Sequence, residues 1–117
     1  MSENRKHERV PTQLRCWCEG DNVTLYVRIT NLSEGGLFVR TSTPLACGAQ
    51  AVVRLTPGGD PELQARATVV WLREEVERAY PPGMGLRFEP LDDDTLGRLR
   101  SIISQQQKNQ VKVGWAG

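Results

Sequence analysis

Six short runs of alternating apolar and polar residues constrain the fold of this chain more than any other feature of its sequence. In the clearest run, 23–30, apolar residues at odd positions alternate with Thr, Tyr or Arg, which is the period of a β-strand with one buried face. Turn-forming residues separate the runs, as in Gly20-Asp21-Asn22, and no helical pattern lies between them. The six predicted strands are 14–19, 23–30, 37–41, 51–55, 62–73 and 84–88.

So many short strands without intervening helices predict an antiparallel sandwich or barrel. We favour a closed six-stranded β-barrel over residues 12–90, because closure removes the exposed edges that so short a sheet would otherwise leave. The fold class is therefore all-β with a C-terminal helix.

The predicted helix spans residues 92–107. Three consecutive aspartates open it, where the helix dipole favours negative charge, and apolar residues then recur at helical spacing. This stripe, Leu96, Leu99 and Ile103, is expected to cover one side or one mouth of the barrel. Residues 108–117 are open to two interpretations, a loose tail or a segment that pairs with a strand edge or a second subunit, and we favour the loose tail.

Composition indicates one soluble domain. The chain has 117 residues, of which 38% are hydrophobic and 25% charged, and its net charge is +1. So small a net charge directs the chain to neither DNA nor a membrane surface, and no apolar run is long enough to span a membrane. Since the N-terminus is charged and no apolar segment follows it, we expect a cytoplasmic protein, monomeric or dimeric.

Neither catalysis nor metal binding has a strong sequence signal. Cys16 and Cys18 share one strand face, but with His7 as the only histidine and Cys47 isolated, a four-ligand metal site is improbable. We interpret the cysteines as small apolar core residues. No nucleophile elbow, P-loop or dinucleotide-binding motif is present, so we expect neither an enzyme, a metal nor a cofactor.

Polar residues at the end of the second strand form the best candidate for a binding site. Asn31 and Ser33 are two residues apart, so on extended backbone they would share a face, and the pair Gly35-Gly36 follows. The glycines allow positive φ and the close approach of a ligand or another strand, although the same residues also suit an ordinary hairpin turn.

A basic segment near the N-terminus, 5–9, favours the binding interpretation. Arg5 and Arg9 are separated by three residues, and guanidinium groups form paired hydrogen bonds with phosphate and with the O6/N7 edge of guanine. Together with Asn31 and Ser33, these arginines suggest a site for a guanine nucleotide with more than one phosphate, outside the barrel.

These two motifs resemble those of the PilZ domain, R-x-x-x-R followed by [DN]-x-S-x-x-G. The first is Arg5-Lys6-His7-Glu8-Arg9, and the second is Asn31-Leu32-Ser33-Glu34-Gly35-Gly36. The segments 67–71 and 83–88 are also similar to the family, and the resemblance covers about residues 3–107. We therefore expect a PilZ-like domain over residues 1–107, in which 1–11 is a flexible arginine-bearing arm, 12–90 the barrel and 92–107 the helix, followed by a tail over 108–117.

The resemblance implies a receptor for the bacterial second messenger cyclic di-GMP. In that family the arginines hold phosphate and guanine, the Asn or Asp and the Ser contact guanine, and the glycine permits its approach. The implied ligand-binding residues are Arg5, Arg9, Asn31, Ser33, Gly35 and Gly36. Position 31 is Asn where many members have Asp, and only four residues precede Arg5, which suggests a stand-alone adaptor.

Ligand binding would order the arm and create a surface for a protein effector, with an output such as motility. The alternative is a PilZ-like protein–protein interaction module that does not bind nucleotide.

Overall fold

A computed structural model describes residues 9–56, 61–73 and 81–116. It contains the six predicted strands, a further two-residue strand before them, and one helix. The elements are β1 (Val10–Pro11), β2 (Arg15–Gly20), β3 (Val23–Leu32), β4 (Gly36–Arg40), β5 (Gln50–Leu55), β6 (Leu63–Arg73), β7 (Gly83–Phe88) and α1 (Asp93–Ala116).

The six longer strands form the predicted closed antiparallel barrel. Their order is β3-β2-β5-β6-β7-β4, and β4 pairs with β3 to complete the circle. The first hairpin turns at Asp21 and Asn22, whose φ angles of 51° and 61° are those a two-residue turn of type I′ requires. The barrel interpretation is confirmed over the sandwich.

Side chains of one parity fill the barrel, as the alternating pattern predicts. The largest that are fully buried include Ile29, Leu37, Leu55, Leu63 and Leu86. Cys16 and Cys18 lie among them with their Sγ atoms 3.8 Å apart. The hydrogen bond with Cys18 and then burial raise the pKa of the Cys16 thiol well above its usual range. That thiol therefore stays neutral and acts as an apolar core group.

Two β-bulges interrupt the period of two. In β3, Ile29 pairs with Val39 and Asn31 with Phe38, so Thr30 is an extra residue relative to β4. In β6, an extra residue lies between Val69 and Trp71 relative to β7. A bulge reverses the face on which the following residues lie. Trp71, which has the parity of the core residues Ala67 and Val69, is consequently 42% exposed on the outer face.

The helix α1 begins as predicted and ends later. The Asp92 carboxylate accepts a hydrogen bond from the Thr95 N–H at 2.7 Å, which makes Asp92 the N-cap. Leu99 and Ile102 are buried, and α1 packs against β1 and β6. Because α1 continues to Ala116, the predicted helix end at 107 is wrong. Residues 108–117 lack a proline, and the polar run 104–110 gives no clear stop signal.

The prediction of a flexible arm over residues 1–11 is wrong for its last two residues. Val10 and Pro11 form β1, which pairs with Leu32 and Asn31 of β3, and the Val10 side chain is buried. Residues 1–8 of that arm lie outside the described residues. In the part of the chain that the structure covers, no helix is long and apolar enough to cross a membrane.

Candidate functional site

The turn between β3 and β4 is organised by the hydroxyl group of Ser33. It accepts hydrogen bonds from the N–H groups of Gly35 and Gly36 at 3.1 and 3.2 Å, and it donates to the Gly36 carbonyl oxygen at 3.3 Å. The Ser33 N–H also donates to that carbonyl at 2.8 Å. Since Ser33 is only 3% exposed, its hydroxyl serves the turn and is not presented to an open surface.

Gly36 is required by a neighbouring strand. A Cβ at this position would lie 2.1 Å from the carbonyl oxygen of Leu86 in β7. Neither Gly35 nor Gly36 has a positive φ. The sequence analysis allowed either a ligand or another strand to approach these glycines closely. At Gly36 the approaching group is the strand β7.

Arg9 and Asn31 bring the two sequence motifs together. The Arg9 Nη1 donates a hydrogen bond to the Asn31 Oδ1 at 2.7 Å, across 22 residues of sequence. β1 delivers Arg9 to this place, because Pro11 pairs with Asn31 and Val10 with Leu32. The β3 bulge turns Asn31, which has the parity of the buried Ile29, to the outer face.

Asn31 is the first member of a row that crosses four strands. The register places Asn31 opposite Phe38, Phe38 opposite Gly85 and Gly85 opposite Trp71. The Trp71 indole lies directly over Gly85, where a Cβ would come within 2.1 Å of its Nε1. An outward-facing glycine is therefore necessary for the indole to lie flat on the barrel.

An aromatic platform results beside Asn31. The rings of Phe38 and Trp71 stack with centroids 4.9 Å apart and planes 25° apart, and the Arg73 guanidinium lies 4.4 Å from the Phe38 ring centre. These neighbours leave Phe38 only 2% exposed although it faces outward. The exposed part of Trp71 can stack on a planar heterocycle.

The structure brings together some of the predicted site residues. Arg9 and Asn31 are in direct contact at the surface, and Gly35 and Gly36 form the adjoining turn. Ser33 is buried beneath that turn whereas Asn31 is partly exposed, so the two side chains are not both presented at the surface. The reason is the hairpin turn that begins at Ser33, in which the hydroxyl group is held by the N–H groups of Gly35 and Gly36. Arg5 lies outside the described residues.

Phe38 and Trp71 are the residues of this face that the sequence analysis did not identify. Both fall in alternating runs, where an aromatic residue is usually assigned to the core. The glycines at 83 and 85, on one parity of β7, are the available signal, because glycine inside a strand often marks the close approach of another group.

The helix α1 is connected to the same region by two polar contacts. The Arg100 Nε lies 3.2 Å from a carboxylate oxygen of Glu34, in the motif turn. The Thr12 hydroxyl donates to the Gln106 side-chain oxygen at 2.9 Å, just after β1. Residues on both sides of the Arg9–Asn31 contact, Thr12 and Glu34, are therefore bonded to α1.

Among the described residues, no three His, Cys, Asp or Glu side chains are grouped as metal ligands. The groups that the site presents are the Arg9 guanidinium, the Asn31 carboxamide and the exposed part of the Trp71 indole. These groups suit an anionic ligand with a planar heterocycle.

Comparison with known proteins identifies a family and a fold. The family model described as PilZ domain matches residues 3–105. The PilZ domain with c-di-GMP of YcgR from Escherichia coli superposes with a TM-score of 0.75 at 21% identity, covering 94% of this chain and 96% of that one.

Larger proteins contain the same fold. The complex of E. coli YcgR with c-di-GMP gives a TM-score of 0.74 at 23% identity, and this chain, covered to 97%, spans 50% of it. The Bacillus subtilis inhibitor of motility (MotI/DgrA) gives 0.73 at 16% identity, with 90% of this chain and 51% of that chain covered. No curated protein matches the sequence.

Proposed function

The chain belongs to the PilZ domain family, and on that premise we propose that it is a receptor for cyclic di-GMP, bound on the outer face of the barrel. One similar structure is described as the PilZ domain of YcgR with c-di-GMP, and another as YcgR in complex with c-di-GMP. The chemistry of the Arg9, Asn31 and Trp71 face supports the same class of ligand for this chain.

One observation carries the proposal, the hydrogen bond between Arg9 and Asn31. It brings the ends of two motifs, distant in sequence, to a single place at the barrel surface. A guanidinium that contacts a neutral carboxamide keeps its full charge and further N–H donors for an anion. Among the described residues no carboxylate is paired with Arg9, so phosphate pairing breaks no ion pair within that part of the chain.

The residues divide into two groups in this proposal. Arg9, together with Arg5, binds phosphate and guanine edges, and Asn31 hydrogen-bonds to guanine. Ser33, Gly35 and Gly36 support the site through the turn that they build. Trp71 supplies an apolar surface on which a guanine stacks.

The signal passes to a protein effector through the N-terminal segment. Phosphate contacts to Arg9 would fix the residues that precede β1 against the barrel and create a new combined surface. Control of motility is one candidate output, since a protein of the same fold is described as an inhibitor of motility.

Calorimetric titration with cyclic di-GMP tests the proposal. We expect saturable binding that weakens between low salt and high salt, because exposed charge pairs are screened. GMP is the matched control ligand, since it offers one guanine and one phosphate group. Absence of heat with cyclic di-GMP at either salt concentration would favour the protein–protein interaction module that does not bind nucleotide.

A further inference from the structure

Three arginines form a row on the outer face of the barrel. Arg15 of β2 lies opposite Arg28 of β3, and Arg28 lies opposite Arg40 of β4. Their sequence neighbours Cys16, Val27 and Val39 are buried inside, so the arginines project outward. Because neighbouring strands are about 4.8 Å apart, the three stems begin within about 10 Å of one another.

No carboxylate in the described part of the chain pairs with any of the three. Arg28 donates to the Gln13 side chain, and its Nε is buried without a hydrogen-bond partner. The next carboxylate along β2, Glu19, is bound to Arg54. Like charges directly opposite each other destabilise a sheet. A row of like charges that lowers the stability of the sheet is a feature expected where function has required it.

An exposed aromatic pair adjoins this row. Trp17 lies opposite Tyr26, with exposed fractions of 40% and 55%, and their rings pack with centroids 4.7 Å apart and planes 44° apart. The Arg15 guanidinium lies 5.9 Å from the Tyr26 ring centre. Trp, Tyr and Arg are the side chains that contribute most binding energy at protein interfaces.

We infer that this face, formed by Arg15, Trp17, Tyr26, Arg28 and Arg40, docks a protein segment in which carboxylates flank an apolar side chain. The carboxylates pair with the arginine row, and the apolar side chain packs against the two rings. The inference goes beyond nucleotide binding, since none of these five residues belongs to the proposed nucleotide site.

Charge and ring geometry favour a protein segment over single-stranded nucleic acid. Bases stack on free aromatic faces. Here Trp17 and Tyr26 pack against each other, and Arg15 lies over Tyr26. The cationic row is also short, and Glu19 and Asp21 lie beyond the rings along β2 and its turn. A compact acidic patch fits this distribution better than an extended chain of phosphates.

Selection from a phage-displayed library of random peptides tests the inference on the full chain. Enriched peptides should carry at least two Asp or Glu residues next to an apolar residue. Fluorescence polarisation with the synthesised peptides should show affinity at least tenfold lower for R40E and W17A than for the wild type. The matched control R66E changes an exposed arginine on the outer face of β6 and should bind like the wild type.

Thermal denaturation keeps the R40E result interpretable. That substitution places a carboxylate opposite Arg28, so the melting temperature should rise while peptide affinity falls. A fall in melting temperature would show that Arg40 is structural and would overturn the inference. Y26A provides a second aromatic variant should W17A fail to fold.

Several other results would overturn the inference. These are enrichment without an acidic consensus, peptide binding that R40E and W17A leave intact, and tight binding of an oligothymidylate that depends on Arg40. A loss of cyclic di-GMP affinity in R40E without any peptide binding would assign the row to the nucleotide. Failure of the wild type to bind cyclic di-GMP would leave the peptide result unaffected, so the two proposals fail separately.

Discussion

At the residue scale, Arg9 and Ser33 contribute to the same pair of motifs in different ways. The Arg9 side chain lies at the surface and donates one hydrogen bond to Asn31. The Ser33 hydroxyl is buried and accepts hydrogen bonds from two backbone N–H groups of its turn. A substitution at Arg9 should therefore change ligand affinity, and one at Ser33 should first change stability.

Replacement of Arg9 by alanine should weaken cyclic di-GMP binding by roughly tenfold to a hundredfold, because a hydrogen bond to a charged group contributes about 1.5–3 kcal/mol. The free energy of unfolding should change by less than about 0.5 kcal/mol, since an exposed side chain is lost. Calorimetry and thermal denaturation measure the two quantities. The control R98A removes an arginine of α1 that contacts the Pro61 carbonyl and should leave affinity unchanged. Unaltered affinity in R9A would remove Arg9 from the site.

Replacement of Ser33 by alanine should lower the free energy of unfolding by about 1–3 kcal/mol, because the buried Gly36 N–H loses its partner. Chemical denaturation measures this change. T41A is a matched control: the Thr41 hydroxyl accepts a similar hydrogen bond from the Thr43 N–H at 3.0 Å, but at an exposed site where water can replace it. Equal losses in S33A and T41A would contradict the structural role of Ser33.

At the scale of elements, the N-cap of α1 makes stability depend on pH. The hydrogen bond from the Thr95 backbone lowers the pKa of Asp92 in the folded protein. A lowered pKa means that this stabilisation is complete above the unfolded value, about 4, and is lost as the pH falls through the folded value.

Comparison with D92N isolates this effect, because the asparagine oxygen still accepts the hydrogen bond while the negative charge is absent. The wild type should melt at a higher temperature near neutral pH, and the difference should shrink as the pH falls below about 4. All other carboxyl groups titrate in both proteins and cancel in the difference. A difference that is constant with pH would exclude a contribution of the Asp92 charge.

Most elements were predictable from the sequence, because a strand with one buried face imposes period two and turn residues mark its ends. The two bulges were not, since an extra residue is defined only by the register with the partner strand. For that reason the alternation alone places Trp71 on the face of Ala67 and Val69 and Asn31 on the face of Ile29, whereas the structure turns both outward. The motif residues themselves were found through their order and spacing, which do not depend on the register.

At the scale of the whole molecule, the proposed ligand site and α1 are linked through β1. Val10, the residue after Arg9, is buried. Close to it, Thr12 is hydrogen-bonded to Gln106 of α1, and Glu34 pairs with Arg100 of the same helix. The N-terminal segment, residues 1–12, is therefore already held to the barrel and α1 at its C-terminal end. A ligand that binds Arg9 should change the order of the residues before Arg9 without moving β1.

Hydrogen–deuterium exchange tests that coupling in the intact protein. Saturating cyclic di-GMP should slow exchange over residues 1–10, because phosphate contacts at the arginines hold the segment against the barrel. The R9A variant at the same ligand concentration should show a smaller effect. Exchange that is the same with and without bound ligand would show that the segment does not transmit the signal.

The two bulges have a consequence for how this site can be gained or lost. Each acts as a frame shift in the inside–outside alternation, and together they set Asn31 and Trp71 out of phase with the core. Deletion of Thr30 would place Asn31 directly after the inward-facing Ile29, so Asn31 would stay on the outer face opposite Phe38. A regular strand of unchanged length would instead pair Thr30 with Phe38 and direct the Asn31 carboxamide towards the barrel interior, with every motif residue still present in the sequence. The site is therefore defined by the motif residues together with the register of β3 against β4, and a change of register with no motif residue substituted is enough to lose it.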